Sequence, residues 1–124
     1  MQKLIFHPKW DKTISMKDRK LIESRFAEAA VIENQQIEFT PLWHARNHKQ
    51  ELLITAIVHN TSKQPFSFHE RKISYYDKEG KTAEHHFSIK SLIIEPHTSM
   101  PWTFIFPLNT IIKDPLHEKG KLKI

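Results

Sequence analysis

The chain of 124 residues contains no cysteine and only two glycines, Gly80 and Gly120. Without cysteine there is no disulfide, no thiolate nucleophile and no cysteine-held zinc. Two isolated glycines cannot build a glycine-rich phosphate loop, and no serine sits in a glycine-flanked nucleophile turn. Apolar runs extend only a few residues, far short of the roughly 20 that a membrane-spanning helix needs. The opening MQKLIFHPKWDK lacks the basic segment, apolar stretch and cleavage site of an export signal. A cytoplasmic protein is the expectation.

What remains is an ordinary globular composition, 39% apolar and 27% charged. The length suits one domain spanning residues 1–124, with a core over about 4–116 and a basic, solvated tail at 117–124, HEKGKLKI. The formal net charge is +5, with cations spread from Lys3 to Lys123 and interleaved with acids. Nucleic-acid binders concentrate their cations on one face, so nucleic acid is not an expected partner. Charge of this size would support only weak, salt-sensitive association with acidic membrane surfaces, or steer an acidic partner.

One helix stands out, over about residues 15–30. Ser15 suits its N-cap with Asp18 three residues on, and Ile22, Phe26 and Ala29 form one apolar stripe. Lys17, Lys20, Glu23 and Glu28 fall on the wet side, and Asn34 lies beyond its end. The pattern after it is β. A strand surrounds Ile37 and Phe39. ELLITAIVHN places Ile54, Ala56 and Val58 on one face and Leu53 and Ile57 on the other, as in a central strand or one covered by the helix. ISYYDKEGKTAEHHFSI reads as a hairpin turning between Asp77 and Gly80, with Ala83, His85, Phe87 and Ile89 on one face of its return arm. WTFIF, bracketed by Pro101 and Pro107, aligns Trp102, Phe104 and Phe106.

QPFSFHERKISYY breaks the period of two. Phe66 and Phe68 share one parity, while Ile73 and Tyr75 share the other. A β-bulge or a crossing between sheets near His69-Glu70-Arg71-Lys72 would return both pairs to one core. These features define a mainly β fold, an antiparallel β-sandwich with one N-terminal α-helix. Trp102, Phe104, Ile54, Val58 and Phe26 are expected to share its core.

No motif carries catalysis. HERKI starts like a zinc-protease helix, but Ile73 stands where the second histidine belongs. Of the nine histidines, His44 and His48 flank an expected turn, WHARNHKQ, while His85 and His86 point to opposite faces of a strand. His59, His69 and His97 have no chelating spacing. Asp77 and Glu79 sit in a turn where solvation explains them, and Asn60-Thr61-Ser62 is read as a turn rather than a glycosylation site. His7-Pro8-x-Trp10 is read as a proline-fixed approach whose Trp10 closes one end of the sandwich. Catalytic, cofactor-binding and metal-binding residues are therefore assigned as none, and no cofactor is expected.

LIFHPKW, ENQQIEF, LLITAIVHNTSKQPFSF and PHTSMPWTFIFP occur in that order. Together they resemble the SLAP domain of Bacillus and related Firmicutes, named for S-layer assembly proteins. The resemblance also implies an immunoglobulin-like sandwich. Longer members of that family carry the domain twice and assist the accessory Sec pathway, which exports S-layer proteins with a second translocation ATPase. The resemblance thus implies a non-enzymatic module that binds a protein of the secretion machinery or an S-layer precursor. A histidine-based metal- or small-ligand-binding domain is the alternative.

Overall fold

The computed structural model describes residues 2–29, 36–115 and 120–124. Among the described residues seven strands form two sheets: β1 (Lys3–Leu4), β2 (Glu38–Arg46), β3 (Leu52–Asn60) and β6 (Thr98–Phe106) in the first, β4 (Phe66–Asp77), β5 (Gly80–Ile94) and β7 (Lys121–Lys123) in the second. The first sheet runs β1-β6-β3-β2 and the second β5-β4-β7. The four-plus-three division is that of a constant-type immunoglobulin sandwich, with a strand order of its own. The chain passes between the sheets after β3, β5 and β6, and the two sheets face each other across a shared interior.

β3 is buried on both faces. Leu52, Ile54, Ala56 and Val58 point into the sandwich with Phe68, Ile73, Tyr75, Phe87, Phe104 and Phe106. Its alternate residue Ile57 belongs to a second cluster with Ile22 and Leu42, over which Phe6, Trp10, Ile14, Phe26 and Trp43 pack. The molecule therefore has three layers: two sheets, and an N-terminal helical cover on the outer face of the first. Phe104 joins the inner core, where it meets Phe39, Phe68 and Phe87 at ring distances of 5.4–5.8 Å. Ile54 and Val58 share that core with it, and Trp102 packs half-buried at its margin. Phe26 does not. It lies in the outer cluster, because the helix stripe faces the far side of β3.

The helical cover has two pieces. α1 (Pro8–Thr13) begins with Pro8 in the first turn, where its missing amide costs nothing, and the Lys9 amide donates to His7 Nδ1 at 3.1 Å. This short helix corrects the single-helix expectation. Trp10 consequently packs between the helices and the sheet rather than at an end of the sandwich. α2 (Met16–Glu28) starts as its cap predicts, the Asp18 amide donating to Ser15 Oγ at 3.1 Å. Ala29 is its C-cap rather than part of the stripe, and residues 30 and 34 lie outside the described residues. Arg19 ties the two helices, 2.7 Å from the Asp11 carboxylate and 4.5 Å above the Phe6 ring.

The parity break is a bulge. Phe68 pairs with Ile89 and Arg71 with Phe87, so His69 and Glu70 oppose Ser88 alone. Glu70 adopts φ 49°, its amide donates to Ser88 Oγ at 3.0 Å, and the extra residue returns Ile73 and Tyr75 to the core. The hairpin closes with Asp77 paired to Gly80, which takes φ 120°. β6 starts earlier than its prolines suggested, and Pro101 lies inside it opposite Ile57. This is tolerated because β1 covers only Thr98 and Ser99, leaving β6 an edge strand from there onward.

The C-terminus departs most from expectation. Lys121–Lys123 pairs antiparallel with Ser74–Tyr76, and Leu122 is buried. The core thus continues past residue 116, because Leu122 alternates with two lysines as an edge strand requires; residues 117–119 of the expected tail lie outside the described residues. Gly120 fixes this strand. Its amide donates to the Tyr75 hydroxyl at 3.0 Å, and a Cβ there would come within 2.2 Å of the Tyr76 carbonyl oxygen.

His59 is the most demanding polar group in the helix-covered layer. It is 1% exposed, stacked 6.4 Å from Phe26, with Nε2 2.7 Å from Thr40 Oγ1 and Nδ1 2.6 Å from Ser99 Oγ. Two hydroxyls satisfy the neutral ring, and no carboxylate is among these partners. Burial lowers its pKa from 6.5 to about 4.

Gly120→Ala should cost about 3 kcal/mol, since the clash is with backbone and β7 must shift or detach. A lowered urea midpoint with altered near-ultraviolet tyrosine signal is expected; a wild-type midpoint would contradict the packing. For His59, the stabilisation is complete above pH 6.5, where both states are neutral, and is lost as pH falls toward 4, where the unfolded chain binds a proton that the folded one refuses. Between pH 7 and 4 the wild type should lose about 2–3 kcal/mol more than His59→Gln. Parallel stability curves for the two proteins would show that the ring protonates in place.

Candidate functional site

The residues singled out by chemistry do not assemble. His69 and Glu70 stand on the bulge with side chains 80% and 77% exposed and 3.6 Å apart. Arg71 turns back, its guanidinium 4.2 Å above Phe66 and its Nε donating to the Ser67 carbonyl at 3.1 Å. His7 caps α1 and meets the Trp102 ring edge-on at 5.3 Å. His44 lies on β2, not in a turn, because that strand runs on to Arg46; its ring sits 6.4 Å from Tyr75. His85 packs on Phe87, and the carbonyl of His97 accepts the Lys3 amide. Among the described residues no three His, Asp or Glu side chains gather as metal ligands would.

Two other motifs have structural uses. Asp77 Oδ1 accepts the Glu79 amide at 2.8 Å and lies 3.2 Å from Lys113 Nζ, so this carboxylate organises the hairpin turn. Asn60 is fully buried. Its Nδ2 donates to the carbonyls of Gln64 and Ile94 at 2.7 and 2.9 Å, while its Oδ1 accepts from Ser62. An amide nitrogen so engaged cannot accept a glycan in the folded protein, and the turn reading of Asn60-Thr61-Ser62 holds.

A concave feature of the surface lies elsewhere. An open groove of about 720 Å³ runs between residues 37–41, at the edge of the first sheet, and residues 120–124, at the edge of the second. Among the described residues β2 pairs with β3 and β7 with β4, and neither has a second strand beside it. Ile37, Phe39 and Leu122 reach the groove from the core, giving it an apolar floor. Arg25, on the last turn of α2, Lys121, Lys123 and Glu38 also line it.

The physical chemistry of this groove is that of chain recognition. Backbone donors and acceptors on strand edges need partners, and an apolar floor rewards side chains that alternate along an extended segment. Pro41, without an amide hydrogen, limits how far a new strand could extend along β2. The lysines of β7 perform a related task, since exposed charge discourages indiscriminate edge pairing. The strand around Ile37 and Phe39 is expected from sequence, but β7 falls in the expected tail, so the pair of edges is not. The alternation Lys121-Leu122-Lys123 was the available signal, obscured by its brevity.

No curated protein and no solved structure matches this chain. Among the described residues no helix is long and apolar enough to cross a membrane. A family model described as the SLAP domain matches residues 4–123, from the second residue of β1 to the end of β7 and nearly the whole chain. With the segments from LIFHPKW to PWTFIFP in their expected order and all inside that match, the chain belongs to the SLAP domain family.

Proposed function

We propose that this SLAP domain is a non-catalytic protein-binding module that serves accessory Sec-dependent secretion of surface-layer proteins, working in the cytoplasm and at the membrane periphery. The observation that carries the reading is the groove between two unpaired strand edges, joined to membership of the SLAP family. Strand edges recognise other polypeptides through main-chain hydrogen bonds, with side-chain pockets adding selectivity. Of the polar residues singled out in the sequence, His59, His7 and Asp77 are engaged in holding the fold. The positive charge would favour an acidic partner or an acidic membrane surface, weakly and with strong salt dependence.

Crosslinking in native cells followed by capture of the domain tests this reading, with Phe104→Ala as a misfolded control. Components of the translocation machinery or surface-layer precursors should be recovered with the wild type and not with the control. Recovery of no protein above the control, together with a reproducible small-molecule or metal ligand, would overturn it.

A further inference from the structure

We infer that the groove between β2 and β7 takes an extended, acidic peptide segment. The inference rests on the protein-binding reading and specifies its site and its ligand chemistry. Three observations combine. First, the walls are consecutive five-residue runs, 37–41 and 120–124, one from each sheet, so the lining follows the backbone of extended chain on both sides. Second, its floor is made of half-buried Ile37 and Phe39 beside buried Leu122, which suits apolar side chains at every second position of an extended chain.

Third, the charge is one-sided. Arg25, Lys121 and Lys123 line the groove, and among the described residues none of the three makes an ion pair, whereas Arg19 and Arg46 on other surfaces each hold a carboxylate. Lys123 Nζ instead lies 5.2 Å from the centre of the Tyr76 ring, a contact that leaves its charge unpaired. Glu38 is the acid among the lining residues. Three cations against one anion, in a protein of net charge +5, favour carboxylates in the occupant. A single-stranded nucleic acid would also bring negative charge. It fits less well, because Phe39 is turned edge-on against Phe104 rather than offered as a stacking platform, and strand edges match a peptide backbone rather than a phosphate chain.

A library of random decapeptides selected against the intact domain tests this directly. Enrichment of peptides with alternating apolar residues and a net negative charge is expected. The selected peptide should then bind at least ten-fold more weakly to Lys121→Glu/Lys123→Glu. Because that change touches a short strand, Arg25→Glu on α2 provides a second test and should also weaken binding several-fold at an unchanged melting temperature. Raising the salt concentration should weaken the wild-type complex and leave the residual binding of the charge-reversed variants comparatively unaffected. Chemical-shift changes on binding should centre on residues 37–41 and 120–124.

Neutral or basic selected peptides, shifts centred elsewhere, failure of selection, or tighter binding of oligo(dT) than of any acidic peptide would each overturn the inference. A photocrosslinker at Lys123, compared with one at Ser91 on β5, separates this failure from that of the broader reading. Protein adducts from Ser91 alone would leave a protein-binding module with a different surface.

Discussion

The structure depends on one strand that has no face to give to water. β3 carries Leu52, Ile54, Ala56 and Val58 on one side and Thr55, Ile57 and His59 on the other, all of them buried. A sheet whose central strand is buried on both faces needs two covers, and the remaining chain supplies them. The β4–β5 hairpin with β7 closes the inner face, and α1 and α2 close the outer one. The polar members of the outer side are satisfied locally, Thr55 by Thr103 and His59 by Thr40 and Ser99. Burial of this kind is stable only when each polar atom finds a partner.

This double cover also decides where the molecule stays open. The N-terminal segment runs beside β6 before crossing the outer face, so β1 shields the start of that edge of the first sheet. The opposite edge belongs to β2, and its counterpart in the second sheet is β7, which is three residues long. The groove between them is the consequence of a topology that spends its chain on covering β3. Arg25 reaches the groove for the same reason, because packing Ile22 and Phe26 on the outer face leaves the C-terminal turn of α2 beside β2.

Where local physics decided the structure, the sequence was readable. The Ser15 cap, the two-faced pattern of β3, the Asp77–Gly80 turn and the bulge implied by Phe66, Phe68, Ile73 and Tyr75 depend on neighbours within a few residues. What depended on distant partners was not. Phe26 and Phe104 look equally suited to one core, and only the placement of α2 on the far side of β3 separates them. Lys121-Leu122-Lys123 is too short to declare itself a strand without Tyr75 and Gly120 to receive it. The groove was illegible for that reason: it is a relation between two edges more than 75 residues apart in the chain (roughly, by residue number), and neither run contains a chemical motif. The SLAP resemblance, carried by apolar and proline-containing segments of the framework, was legible because those segments specify the layers themselves.

The central claim is that β2 and β7 are open edges facing one groove. Residue-resolved amide hydrogen exchange of the free domain tests it most directly. The account predicts the slowest exchange along Ile54–Val58, and an alternating pattern along Glu38–Thr40 and Lys121–Lys123, in which amides bonded to β3 or β4 are protected and those facing the groove exchange orders of magnitude faster. Continuous protection along both runs, comparable with β3, would contradict it, because every edge amide would then already have a partner.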